Sequence, residues 1–306
     1  MKKCRMIIMS LLATICLTAC SEGELFELLD GLFDETATSA ADAPRDIRNS
    51  VAPLVDGEAS VTIFDVGQGD SALVQSDEAT ILIDTGRHDS DAIFDHLAAE
   101  EIDHIDLLVL THPHADHIGN ADEIVQRYDP QTVWIDGNET TSQVFERLVD
   151  SLLESDAEVI EPIAGESYEQ GDFLINVLHP SEELTGDLNN DSVSLRLTYG
   201  EVSFLFTGDA EKPAEQEMVD TGLDLQSEVL IMGHHGSNTS SHDFFLEEVQ
   251  PDIAIYSAGE NNSYGHPGES AIRRVEKVGA DIYGTIENGT VNVRTDGQTI
   301  RVETEF

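Results

Sequence analysis

Four side chains able to ligate a metal fall within six residues of this chain: His112, His114, Asp116 and His117, in Thr111-His112-Pro113-His114-Ala115-Asp116-His117. Imidazole and carboxylate are the usual nitrogen and oxygen donors for Zn²⁺ and related divalent ions. Histidines clustered and buried for no purpose would cost solvation. The blander reading of the same residues is a solvated polar turn in which Asp116 caps the helix that follows.

The cluster runs straight on from an apolar segment, Leu107-Leu108-Val109-Leu110, that reads as a buried strand. A strand-to-helix turn can aim alternate side chains at one point, so the placement suits ligands. Around it the chain alternates in kind. Strands are predicted at Val61–Phe64, Ala72–Val74, Thr80–Ile83 and Val133–Ile135, and near Phe173–Leu178, Val193–Leu197 and Val202–Phe206. Helical spacing is predicted at Ala92–Leu97 and from Val144 to Leu153. No repeat array is visible, and the class is α/β or α+β, with two strand-rich halves, about 59–180 and 190–306, each expected to give a sheet.

The first residues are predicted to be a targeting segment. Lys2, Lys3 and Arg5 precede an apolar run from Met6 to Thr18, which ends in Leu17-Thr18-Ala19-Cys20. The run is shorter than the ~20 residues a bilayer-spanning helix needs. It reads as a signal peptide over 1–19, and the small residues before Cys20 resemble a bacterial lipobox, which implies a lipidated Cys20 at the outer face of the cell membrane. Residues 20–58 are acidic and read as a tether, with a short amphipathic helix predicted around Leu25–Phe33; residues 59–306 form the domain. The three cysteines, Cys4, Cys16 and Cys20, leave no disulfide framework and no thiolate for a metal.

With 61 acidic and 15 basic residues the formal charge is −46. Spread along the whole chain, such charge suits a saline medium in which repulsion is screened within ~3 Å at 1 M salt. A partner-binding acidic face is the alternative, and no stable protein partner is predicted.

The His-x-His-x-Asp-His arrangement is that of the metallo-β-lactamase superfamily, and other segments resemble it in order. Asp84 in Ile83-Asp84-Thr85-Gly86, Asp209 in Thr207-Gly208-Asp209 and His234 in Gly233-His234-His235-Gly236-Ser237 each match a family element. The closer resemblance is to the extracellular hydrolase domain of the competence protein ComEC. It is carried by Phe64-Asp65-Val66-Gly67-Gln68-Gly69-Asp70-Ser71, Asn189-Asn190-Asp191-Ser192, the Gly233–Ser237 segment and Ser263-Tyr264-Gly265-His266-Pro267.

The resemblance implies an αββα sandwich, two facing mixed sheets with helices outside. It also implies two divalent metal ions, zinc first and manganese as the alternative. One ion would be held by His112 and His114, with His179 of Val177-Leu178-His179-Pro180 as the third candidate. The other would be held by Asp116, His117 and His234, with Asp209 bridging and Asp84 orienting a ligand. His235 is able to exchange roles with His234, while Asp70 and Asn190 either shape the pocket or cap turns. His266 would face the pocket as a protonated imidazole that assists the leaving group or holds a phosphate oxygen.

The activity so implied is hydrolysis of a phosphodiester, nucleic acid or small molecule, by a hydroxide that the metal pair supplies near neutral pH, with Asp116, Asp209 and His266 carrying the catalysis. A nuclease normally offers a basic groove, whereas only Arg273, Arg274 and Lys277 cluster here. Hydrolysis of a carboxylic ester or lactam, or a catalytically silent metal-binding surface protein, are the alternatives. A flavodiiron role would need a flavin domain for which the chain has no room.

Overall fold

A computed structural model describes residues 45–47, 52, 53, 55 and 57–306. The expected leader, Cys20, the Leu25–Phe33 helix and most of the tether lie outside the described residues. Among the described residues no helix is long and apolar enough to cross a membrane.

Two eight-stranded sheets form the described domain. The first contains β2 (Ala59–Ile63), β3 (Ala72–Gln75), β4 (Thr80–Ile83), β5 (Leu107–Val109), β6 (Thr132–Trp134) and β7 (Glu158–Ile160). It is completed on the other side of β2 by β15 (Val291–Thr295) and β16 (Ile300–Thr304). The second sheet holds β1 (Arg45–Asp46), β8 (Glu166–Gln170), β9 (Phe173–His179), β10 (Ser194–Tyr199), β11 (Val202–Phe206), β12 (Val229–Ile231), β13 (Ile253–Tyr256) and β14 (Asp281–Gly284) in that order. Each sheet is antiparallel on one side and parallel on the other, so both are mixed.

The sheets face each other across one apolar core. Val61, Ile63, Val74, Ile81, Ile83 and Trp134 of the first meet Phe173, Ile175, Val177, Leu197, Phe204 and Ile231 of the second, all nearly sealed from solvent. On the outer face of the second sheet, Leu205, Leu230 and Ala254 pack under three helices. These are α4 (Lys212–Thr221), α5 (Asp243–Val249) and α6 (Glu269–Val278), which contribute Met218, Leu246 and Val275. Strands covered on both faces are buried throughout and mostly apolar, as β9 and β11 are, buried at every position. Upstream, α1 (Ala92–Ala99), α2 (Ala121–Tyr128) and α3 (Gln143–Glu154) follow strands of the first sheet, with α2 and α3 in contact. Ser142 caps α3 by accepting from Phe145 N at 3.2 Å, and the αL residue Gly222 ends α4.

The expected division into halves is corrected. Strands β8 and β9 from the first half pair with each other, and β9 pairs with β10, in the second sheet, because sequential strands tend to be antiparallel neighbours. The hairpin β15–β16 crosses instead to β2 in the first sheet.

The parallel strands place the chemistry. Ile83 pairs with Val109, and Phe206 with Ile231, so β4 ends level with β5 and β11 level with β12. The loops leaving these four carboxyl ends carry Asp84, the His112–His117 segment, Asp209 and the two adjacent histidines. In open α/β sheets that end is where ligands bind.

Candidate metal centre

Asp84, the residue after β4, is buried in a left-handed conformation (φ 58°). Its Oδ1 accepts from Thr111 N at 2.8 Å, and its Oδ2 accepts from Thr111 Oγ1 at 2.7 Å and His117 Nδ1 at 2.8 Å. A carboxylate at Nδ1 fixes a proton there and turns Nε2 inward, where an ion that displaces the Nε2 proton would meet a lone pair. The loop carrying His117 is stitched to its neighbours by backbone: Thr85 N donates to His117 O at 2.7 Å and Asp70 N to Asp116 O at 3.1 Å. Asn120 Nδ2 adds bonds to Thr85 O, Arg87 O and Ser90 O. This close approach requires glycine at 119, where a Cβ would lie 2.1 Å from His88 N.

After β12 the chain makes a tight turn in which His234 (φ 53°) and His235 (φ 56°) are both left-handed. Two consecutive such residues store strain of the kind found at functional sites. The turn carries the His235 ring inward. Its Nδ1 lies 3.2 Å from Asp70 Oδ1 and 3.1 Å from Ser257 O, and its Nε2 lies 3.5 Å from Asp116 Oδ2 and 3.8 Å from Asp209 Oδ1.

Two groups of potential ligands result, each with its ligand atoms within 4.8 Å of one another: His112, His114 and Asp209, and Asp70, His117, Asp209 and His235. Asp209 belongs to both. Buried His117 Nε2, Asp209 Oδ1 and His235 Nε2 have no hydrogen-bond partner. Buried polar atoms are ordinarily paired, so these atoms, of nitrogen and oxygen and without thiolate, fit divalent cations. In the other group His112 Nε2 lies 2.9 Å from His114 Nδ1 and 3.5 Å from Asp209 Oδ2.

The site's charges are strongly coupled. Burial alone would depress His117, but Asp209 and Asp84 raise it well above the usual imidazole range. Burial would raise Asp209, yet His117, His235 and His112 hold it well below the usual carboxylate range. Burial with His117 beside it pushes His112 down. Burial, then His235 and His234, push His266 down to about 4, so its ring is neutral at pH 7 and the protonated form expected from the sequence is not the resting one.

The remaining candidates fall as follows. His234, expected as the last ligand, lies outside both groups. Its Nε2 is 3.7 Å from Asp209 Oδ2 and its Nδ1 3.2 Å from Glu211 Oε1. Asp116 is also outside them, facing His235 from the cleft wall. His179 is not brought to the centre: its Nδ1 lies 3.3 Å from Ser192 O and its Nε2 3.6 Å from Glu217 Oε2, because the end of β9 turns toward α4. Asn190, expected at the pocket, uses Oδ1 to accept from Glu211 N and Ala214 N at the start of α4.

The cleft, about 300 Å³, is lined by Gln68, His114, Asp116, Asn189, Asp209, His234, His235, Tyr264 and His266. Asn189, Gln68 and Tyr264 are additions to the residues expected from the sequence. Asn262 holds the His266 loop, accepting from His266 N at 3.0 Å and donating to His266 O at 2.6 Å. Its only sequence signal is a run of turn-forming residues, Asn261-Asn262-Ser263.

The model of the metallo-β-lactamase superfamily matches residues 64–260, which cover both ligand groups. The chain belongs to the metallo-β-lactamase superfamily. This superfamily chain is 30% identical over 263 residues to ComE operon protein 3 of Bacillus subtilis, covering 80% of itself and 34% of that protein. It is 31% identical over 255 residues to competence protein ComA of Neisseria gonorrhoeae, covering 81% of itself and 34% of that protein. It thus fits the ComEC-like branch while spanning about a third of the length of these curated relatives.

Solved structures share the fold. Igni18, a metallo hydrolase from Ignicoccus hospitalis, aligns with TM-score 0.52 at 18% identity, over 76% of this chain and 98% of that one. CmlA, a diiron β-hydroxylase from Streptomyces venezuelae, aligns with TM-score 0.52 at 16% identity, over 74% of this chain and 53% of that one. The metallo-β-lactamase fold therefore carries more than one chemistry, and the reaction must be argued from the site.

Proposed function

We propose that this metal-dependent hydrolase cleaves phosphodiesters outside the cell, tethered to the outer face of the membrane through a lipid on Cys20. The observation that carries the reading is Asp209, which is shared by the two ligand groups and whose buried Oδ1, like His117 Nε2 and His235 Nε2, has no hydrogen-bond partner. The chemistry that two divalent ions supply when bound is a water ionised near pH ~7 and neutralisation of charge on an attacked phosphoryl group.

The chain's own residues do the rest. His112, His114 and Asp209 would hold one ion, and His117, His235, Asp70 and the same Asp209 the other, with zinc the favoured occupant and manganese the alternative. Asp84 keeps the proton of His117 on Nδ1. Asp116 and His234 border the cleft, where they meet the substrate or the rim of an ion's shell. His266, neutral and fixed by Asn262, offers one ring N–H to an oxygen of the phosphoryl group or leaving group.

The basic residues favour a small phosphodiester over a polymer. Arg274 is spent on Ser241 O, Ser240 O and Asn238 O, while Lys277 pairs with Asp243 and Arg273 with Glu269. A backbone phosphate would have to compete with these acceptors for all three. No stable protein partner is proposed, and the acidic surface is assigned to a saline medium.

The test is hydrolysis of bis-p-nitrophenyl phosphate by residues 21–306 in high salt with Zn²⁺ or Mn²⁺, beside Asp209→Ala. Metal-dependent turnover that disappears in the variant supports the reading. Two ions per chain with no turnover refutes it and moves the search to carboxylic esters, lactams or a binding role.

A further inference from the structure

The two ligand groups are unequal. One offers four side chains and the other three, His112, His114 and Asp209. The histidine expected to complete the smaller group, His179, is engaged with Ser192 O and Glu217. On the wall of the same cleft as His114 and Asp209 stands Asn189. Its Oδ1 is shut off from solvent and has no hydrogen-bond partner.

We propose that Asn189 Oδ1 is the missing ligand of the ion held by His112, His114 and Asp209, a step that rests on the two-metal reading of the centre. An unpaired buried carboxamide oxygen is unfavourable in the metal-free chain. A cation beside it removes that cost, and a neutral oxygen is a donor such an ion accepts.

The surrounding loop is built to hold this residue still. Asp191 accepts from Thr185 N, Thr185 Oγ1 and Gly186 N at 2.9, 2.8 and 2.7 Å, closing the loop that contains Asn189. Asn190 fastens the next position to the start of α4, and Ser192 N donates to Asn189 O at 3.2 Å. Anchors on both sides leave the Asn189 carboxamide little freedom, which is what a preorganised ligand requires.

The ligand type also carries a preference. Imidazole suits zinc, whereas carbonyl and carboxylate oxygens suit harder ions such as manganese. Exchanging the histidine of a zinc site for a carboxamide therefore moves this ion's selectivity toward Mn²⁺, while the histidine-rich second group keeps its preference for Zn²⁺.

The test is metal binding, measured on the full chain by competition with a chromophoric chelator for Zn²⁺ and by electron paramagnetic resonance for Mn²⁺. Wild type is expected to bind two ions. Asn189→Ala should lose affinity for one of them by on the order of 10–100-fold or more, the range that even outer-shell partners command. Asn189→Asp should keep or tighten Mn²⁺, Asn189→His should shift that site toward Zn²⁺, and His179→Ala should bind both ions as wild type does. The inference is overturned if Asn189→Ala binds both ions with wild-type affinity, including the case in which only KM for an ester rises. Should Asn189→Ala fail to fold, weaker Mn²⁺ binding by Asn189→Asp overturns it instead. A wild-type chain that takes up no second ion refutes the two-metal reading itself, and this inference with it.

Discussion

Replacing Asp84 separates the structural from the metal-directing role of one carboxylate. Three buried donors converge on it: Thr111 N, Thr111 Oγ1 and His117 Nδ1. Asp84→Ala leaves all three without an acceptor, at about 1–3 kcal/mol each, and puts alanine into a left-handed backbone that asparagine tolerates better. The contributions overlap, so the expected loss is about 4 kcal/mol, a large share of the ~5–15 kcal/mol that holds a domain folded. For a domain of this size the midpoint should fall by roughly 8–16 °C. Asp84→Asn preserves the shape and the bond to Thr111 N, but its Nδ2 then faces His117 Nδ1. That reverses the tautomer and places the proton on Nε2, the atom aimed at the ion. The asparagine variant should be the more stable of the two, yet lose metal affinity by about 10–100-fold. Thermal unfolding of the chelator-treated chain, with a metal titration of both variants, reads the two effects apart. Wild-type metal affinity in Asp84→Asn, or a loss below ~1 kcal/mol in Asp84→Ala, would refute the reasoning.

Gly119→Ala should abolish metal binding and destabilise the chain strongly, since its Cβ would lie 2.1 Å from His88 N and 2.4 Å from Gly86 O, backbone atoms that cannot yield; a metal titration and a melt check it. Burial pushes Asp136 up to about 8 from an ordinary 3.8, despite the bonds it receives from Asn138. Between those values the folded chain holds a proton that the unfolded chain has released, so stability is greatest on the acid side and falls as pH rises, by up to ~1.4 kcal/mol per pH unit. Asp136→Asn should flatten that fall in urea titrations at pH 6 and 8.5, and equal slopes in both proteins would count against the assignment. Removing the ions with a chelator should lower the unfolding midpoint, because each ion at 100 times its Kd stabilises by ~2.7 kcal/mol; an unchanged midpoint would contradict metal binding to the folded state.

The sheet architecture and the neighbourhood of the centre were legible in the sequence because strand ends and ligand-type residues occur together. A buried apolar run that stops at Asp84, at Thr111-His112 or at Asp209 announces both the strand and what its end presents. Backbone handedness was not legible. Whether His234 or His235 points inward depends on two left-handed residues, and neither composition nor spacing encodes that turn. Which of Asn189 and Asn190 enters the cleft depends likewise on Asn190 Oδ1 meeting the first amides of α4. His179 could be assigned to the centre only by analogy, since its direction is set by how the end of β9 meets Glu217. The exchange of strands between halves escaped for a further reason: β15 is as alternating as any edge hairpin, and only pairing reveals that its neighbour is β2.

That pairing sets the order in which the protein can be finished during synthesis. Thr62 waits for Asn292, 230 positions later, which at ribosomal rates of ~5–20 residues per second is on the order of ten to fifty seconds. Throughout that interval β2 has an empty edge, the kind that recruits strands from other chains. The acidic nascent chain meets copies of itself as a like-charged polymer, so its charge also keeps the unfinished edge from finding the wrong partner.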